Sequence, residues 1–137
     1  MGAFENFNYE FAIEVLANGK QRPFMKFGIN PNFQHLGNLS RGHLSSSSGV
    51  TRDLIEIKKV NNGEIDEHAF GGDDWCIVIY KKGTSTIVNG FDEFEPFEIE
   101  STMIHKFLID WLDFLSKYEG GEIPGLIPPN KLNSIES

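Results

Sequence analysis

The side chains with chemical reach in this chain are few. They are one cysteine, Cys76, four histidines at 35, 43, 68 and 105, and an acidic run, "NGFDEFEPFEIEST", from Asn89 to Thr102. Cys76 sits inside "WCIVIY" with no cation beside it to favour a thiolate, so it reads as a structural thiol. Gly71-Gly72 is followed by Asp73-Asp74 and lacks the Lys-Ser/Thr of a phosphate-binding loop; two carboxylates would repel a phosphate, and the pair reads as a turn. His35 and His43 belong to no compact ligand motif, and His68 beside Asp66 and Glu67 has no calcium-loop spacing. No serine stands in a nucleophile elbow, and no two carboxylates are specified at a working distance. The expectation is a protein without catalytic residues, metal or cofactor. A small enzyme using the His35/His43 segment as a lid is the least favoured alternative.

The acidic run is the most informative stretch. Asp92, Glu93, Glu95, Glu98 and Glu100 alternate with Phe91, Phe94 and Phe97, and no Lys or Arg interrupts them. Glu98 and Glu100 precede a helix, where negative charge near unpaired N–H groups is stabilising. Asp92, Glu93 and Glu95 have no such role. If the strands pair as a meander, these three join Asp73 and Asp74 in one acidic-aromatic rim. Charge on such a rim raises the rate of association with a basic protein, and buried aromatics supply affinity. The candidate partner-binding residues are therefore Asp73, Asp74, Asp92, Glu93 and Glu95. The competing reading is a solvated sheet edge kept soluble by charge.

Composition narrows the classes. The chain has 137 residues and a formal net charge of −8, the length of one ordinary domain. The charge is uneven: residues 1–52 hold three acids against five bases, leaving 17 acids against 7 bases in residues 53–137. That field disfavours nucleic acid and anionic membranes. No apolar run approaches the ~18 residues of a membrane span, and no secretory signal is evident at the start. A lone cysteine suits a reducing compartment, so a cytoplasmic location is expected.

The elements that must position these residues follow from periodicity. Tyr9, Phe11, Ile13 and Val15 alternate with Glu10, Ala12 and Glu14, a strand period, although residues 9–17 also admit a short helix. Asn18-Gly19 then suggests a hairpin turn into a second strand around Phe24 to Ile29, with Pro23 implying an edge. Residues 30–50 lose all period and read as a long surface loop. Residues 53–99 read as an antiparallel meander: "DLIEIKKV", "EIDEHAF", a central "WCIVIYKK" apolar on both faces, "TSTIVNGF" and "FEPFEIE". The clearest element is the last. Ile104, Phe107, Leu108, Trp111, Leu112, Leu115 and Tyr118 recur at helical spacing, with Ser101 or Thr102 as cap and Gly120-Gly121 as stop. His105 falls on the flank of that stripe, where a partly buried, hydrogen-bonded histidine is expected. Residues 121–137 form a Pro-rich tail. The expected architecture is a single α+β domain: an antiparallel sheet of five or six strands with a long C-terminal amphipathic helix packed on one face.

The "DDWCIVIY" strand, the "GFDEFEPFEI" link and the "FLIDWLDFL" closing helix, in a small acidic domain, resemble the immunity proteins of contact-dependent growth inhibition and related polymorphic-toxin systems of bacteria. The resemblance covers roughly residues 53–120. It implies a non-enzymatic inhibitor that binds a cognate toxin domain, often a basic nuclease, and blocks it. An acidic adaptor or regulatory subunit of a bacterial complex would use the same rim on a different partner.

Overall fold

The structure, a computed structural model, describes residues 9–27, 36, 39, 44–71, 76–88 and 95–122. Asp73, Asp74, Asp92, Glu93, His35 and His43 lie outside these residues.

The fold is α+β. Six strands form two antiparallel sheets, and a 19-residue C-terminal helix packs on them. The first sheet is a hairpin of β1 (Tyr9–Val15) and β2 (Gln21–Phe27). Its turn is tied by Gly19 N–H to the Leu16 carbonyl (2.9 Å) and by Leu16 N–H to the Lys20 carbonyl (2.7 Å). Gly19 has φ 85°, a conformation that glycine adopts without a Cβ clash. The alternation of residues 9–15 is therefore a strand. The second strand begins three residues before the expected start, and Pro23 pairs with Ile13 in a sheet where both strands are edges.

The second sheet is a meander of β3 (Glu67–Gly71), β4 (Ile77–Lys81), β5 (Thr84–Val88) and β6 (Phe97–Glu100), in that spatial order. Its inner face presents Phe70, Val78, Tyr80, Ser85, Ile87 and Ile99, all buried. On the other face Ile77, Ile79, Thr86 and Val88 are only half-buried, so β4 is central in the sheet but is not closed over on both sides as its apolar sequence suggested.

The expected strand at "DLIEIKKV" is instead part of a helix. This helix, α1 (Ser47–Asn61), starts within the segment read as a loop. Val50, Asp53, Ile57 and Val60 form its buried face at spacings of three and four. The Ser46 side chain caps it by accepting from Gly49 N–H, so the serine run is a helix start. The same segment also contributes Leu36, Leu39 and Leu44 to the core, each fully buried.

The final helix, α2 (Ser101–Glu119), is the hub. Ile104, Phe107, Leu108, Trp111, Leu115 and Tyr118 are buried, as its period predicts. The stripe is wide enough to serve two neighbours. Phe107, Trp111 and Phe114 meet Tyr9 and Phe11 of the hairpin, with ring centroids 5.1–6.5 Å apart. Ile104, Leu108 and Leu115 join the same core as Val78, Ile87 and Ile99 of the meander and Ile57 of α1. Burying one such aromatic or aliphatic side chain contributes roughly 1.5–3 kcal/mol. The Trp111 indole N–H donates to the Leu44 carbonyl at 2.8 Å, anchoring the irregular segment before α1. No helix among the described residues is long and apolar enough to cross a membrane.

Candidate functional site

Of the five candidate binding residues only Glu95 is described, and it is exposed, just before β6. Its neighbours Glu98 and Glu100 complete a group that the helix-dipole argument had set aside. That argument fails for Glu98, which lies within the β6 ladder opposite Thr86. Glu100 occupies the N-cap of α2 but makes no side-chain capping bond. The expected cap, Ser101, is already the first helical residue and its hydroxyl is used elsewhere. The Ser101 hydroxyl donates to the Lys81 carbonyl and lies 2.6 Å from Ser85 Oγ, which accepts from Lys81 N–H at 3.3 Å. With Ser101 donating to the carbonyl, the Ser85 hydroxyl donates to Ser101, and every polar atom of this buried cluster is satisfied. The cluster fixes the end of β6 against the β4–β5 turn.

The rest of the described surface shows why the 95–100 group stands out. Elsewhere most of the described carboxylates have partners. Across the hairpin Glu10 faces Lys26 (3.7 Å) and Glu14 holds Arg22 (2.5 Å). On the helices Glu56 pairs with Lys59, Asp110 with Lys106 and Asp113 with Lys117, at 2.9–3.1 Å. On the meander Glu67 faces Lys81 across the strands at 3.8 Å. Glu95, Glu98 and Glu100 have no ion pair or side-chain hydrogen bond among the described residues. Glu64, Asp66 and Glu122 also lack one; of these, Glu64 lies near enough to Lys59 to act on it electrostatically. Glu98 and Glu100 are two positions apart on one strand face, roughly 7 Å by strand rise. At that distance in water they repel by ~0.6 kcal/mol, a small cost that a nearby cation would reverse.

The surroundings are partly apolar. Strand pairing places Thr86 beside Glu98 and Ile79 beside Thr86, with Ile77 beside Val88. The helix-free face of the meander thus carries a half-buried strip of Ile77, Ile79 and Val88, bordered by Glu98 and Glu100 on one edge. The Glu67–Lys81 pair closes the other. In chemical terms this surface is complementary to one with an apolar centre and a basic rim.

Two histidines are described. His105 is half-buried on the flank of α2, but without the hydrogen bond expected there. His68, beside Asp66 and Glu67 in sequence, turns to α1, its Nε2 lying 2.8 Å from Oδ1 of Asp53, whose side chain is 4% exposed. The ring also stacks on Phe70, centroids 5.9 Å apart. This pair ties β3 to α1 beneath the surface, and Asp53 was missed because a strand reading put it outside any buried face. Cys76 is fully buried, consistent with an inert thiol. No group of three or more His, Cys, Asp or Glu suited to a metal ion occurs among the described residues.

Comparison of the chain with protein-family models, with curated proteins and with solved structures finds no match.

Proposed function

We propose that this protein is a non-enzymatic inhibitor that binds a basic protein domain through the acidic edge of its meander sheet, and that it serves as the immunity partner of a bacterial toxin domain in the cytoplasm. The observation that carries this reading is the contrast in charge compensation. Glu95, Glu98 and Glu100 stand together without a cation, whereas carboxylates on the hairpin and both helices are paired within the fold. Uncompensated charge beside half-buried Ile77, Ile79 and Val88 suits a surface whose counter-charges come from outside. Asp73, Asp74, Asp92 and Glu93 enter the proposal on their charge in the sequence alone. The resemblance of residues 53–120 to immunity proteins agrees with it in kind.

The test is to read the gene beside this one and, where it encodes a secreted protein ending in a basic domain, to co-express that domain with this chain. The expected results are rescue of growth and an association rate that falls steeply between 50 and 200 mM salt, by roughly tenfold or more. The triple substitution Glu95→Lys, Glu98→Lys, Glu100→Lys should abolish rescue while the protein stays folded. Unchanged rescue in that triple variant would sink the acidic-edge reading. A neighbouring gene of metabolic or regulatory kind would move the same surface to an adaptor role.

A further inference from the structure

We infer that β6 is a docking strand: a basic, extended segment of the partner adds to the meander beyond β6, pairing main chain with main chain. This inference rests on the acidic-edge reading and gives it a geometry.

The backbone supplies the argument. β6 lies at the end of the sheet and pairs with β5 alone among the described residues. In an antiparallel ladder, residues alternate between those whose N–H and C=O face the neighbouring strand and those whose groups face away. Ser101 N–H donates to the Gly83 carbonyl at 2.9 Å, so the hydrogen-bonded parity runs through Ser101 and Ile99. The N–H groups of Glu98 and Glu100 and the carbonyl of Glu98 therefore face away from β5, where no further strand pairs among the described residues. Neither residue makes a further hydrogen bond beyond the strand and helix ladders.

Two independent properties thus fall on the same two residues. Their main-chain groups are the free ones of the edge, and their side chains are the uncompensated charges. Edge strands are ordinarily guarded by lysine, proline within the strand, or a bulge; β6 carries none of these and is guarded only by its carboxylates. A carboxylate guard repels acidic or neutral strands and admits one that brings cations. On the added strand, Lys or Arg opposite Glu98 and Glu100 would form cross-strand pairs of opposite charge. The residues between them would turn to the same side as Phe97 and Ile99 and are best apolar. The class of ligand is an extended segment with basic and apolar residues in alternation, bound by strand addition.

The experiment uses the full chain and four synthetic probes: Lys-Val-Lys-Val-Lys-Val, the same peptide N-methylated on its lysines, the same peptide N-methylated on its valines, and hexalysine. Titration gives affinity, and amide hydrogen exchange followed by NMR reports on Glu98 and Glu100. The alternating peptide is expected to bind at least tenfold tighter than hexalysine despite half the charge, and to slow exchange of the Glu98 and Glu100 amides at least tenfold. N-methylation in one of the two registers should remove that advantage. Glu98→Pro, which deletes an outward N–H, should weaken the alternating peptide at least fivefold more than Glu98→Gln. Hexalysine binding as well as the alternating peptide, with no amide protection, overturns strand addition and leaves the charge reading standing. Binding of neither peptide overturns both.

Discussion

Glu119, the last residue of α2, caps the start of α1. Its Oε2 accepts from Ser47 N–H at 2.9 Å and its Oε1 from the Ser47 hydroxyl at 2.6 Å. No acid occupies the first turn of α1, so the carboxylate that a helix N-terminus favours arrives from 72 residues away. A glutamate at the end of its own helix would otherwise meet the negative end of that dipole. Glu119→Gln keeps hydrogen-bonding capacity and loses the charge. It is expected to cost about 0.5–1 kcal/mol, and Glu119→Ala about 1–2 kcal/mol, in urea unfolding, with both losses reduced by salt for the charged component.

The buried hydroxyl pair should behave as one unit. Ser85→Ala and Ser101→Ala each leave the partner hydroxyl or the Lys81 carbonyl short of a bond, at about 1–3 kcal/mol apiece. The double variant should cost less than the sum by about 0.5–2 kcal/mol in a double-mutant cycle. Strict additivity would show that the 2.6 Å contact carries no coupling.

Trp111→Phe retains most of the apolar surface and deletes the N–H that serves the Leu44 carbonyl. A loss of about 2–4 kcal/mol is expected in denaturant, combining an unsatisfied buried carbonyl with a partly vacated site. Amide exchange should then accelerate more at Leu44 and Ser46 than at Val78 or Ile99.

Among the described glycines, Gly71 is the one where an added Cβ meets backbone most closely. Its φ is 97°, and a Cβ built there runs into the Cys76 carbonyl and approaches Leu39 Cδ2. Gly63, at φ 81°, and Gly83, at φ 91°, have nothing within 4 Å. Alanine at Gly63 or Gly83 should cost about 1 kcal/mol from backbone strain. Gly71→Ala should exceed those two by at least ~2 kcal/mol because backbone must shift as well.

The Tyr9–Asp110 bond predicts pH effects at both ends of the range. The Tyr9 hydroxyl donates to Asp110 Oδ2 at 2.6 Å, and Lys106 lies 3.0 Å from the same oxygen. Chiefly through the tyrosine hydrogen bond, and then Lys106, the Asp110 carboxyl is held below its ordinary value. That contribution is full above the unfolded carboxyl's pKa of roughly 4 and fades as pH falls through the lower folded value. Burial, then the bond to Asp110, raises the Tyr9 phenol. Its contribution is full below about pH 10 and is lost as pH rises through the folded value. The stability gap between wild type and Tyr9→Phe should therefore be flat from about pH 5 to 9 and narrow on either side. A gap independent of pH would show that the bond is not formed in solution.

The parts of the fold legible in the sequence are those where one period dominates. The stripe from Ile104 to Tyr118 follows the helical period over more than three turns, and the alternation of Tyr9 to Val15 favours a strand although it is short enough to admit a helix as well. The region around α1 is not legible in this way, for two physical reasons. Leu54, Ile55 and Ile57 lie so close together that a run of six residues fits both periods, and the residue that decides between them, Asp53, is a buried acid made tolerable by His68 from another element. Its start was hidden because a capping serine looks like any other serine in a run of four. At the site, the acidic stretch was visible as composition, but which carboxylates lack partners depends on where Lys81, Lys106 and Lys117 fall in space. Glu98 and Glu100 were given to the helix dipole because sequence proximity does not reveal that Glu98 belongs to a ladder.

The placement of the hairpin's aromatic face against α2 has a consequence for biosynthesis. Tyr9, Phe11 and Phe27 leave the ribosome early, yet the rings they pack on extend to Phe114. At about 5–20 residues per second, the interval between Phe27 and Phe114 lasts on the order of 5–20 s. Throughout it Tyr9, Phe11 and Phe27 have no mate on α2, and an isolated two-stranded hairpin is marginally stable, so these rings wait for the last helix before they are held.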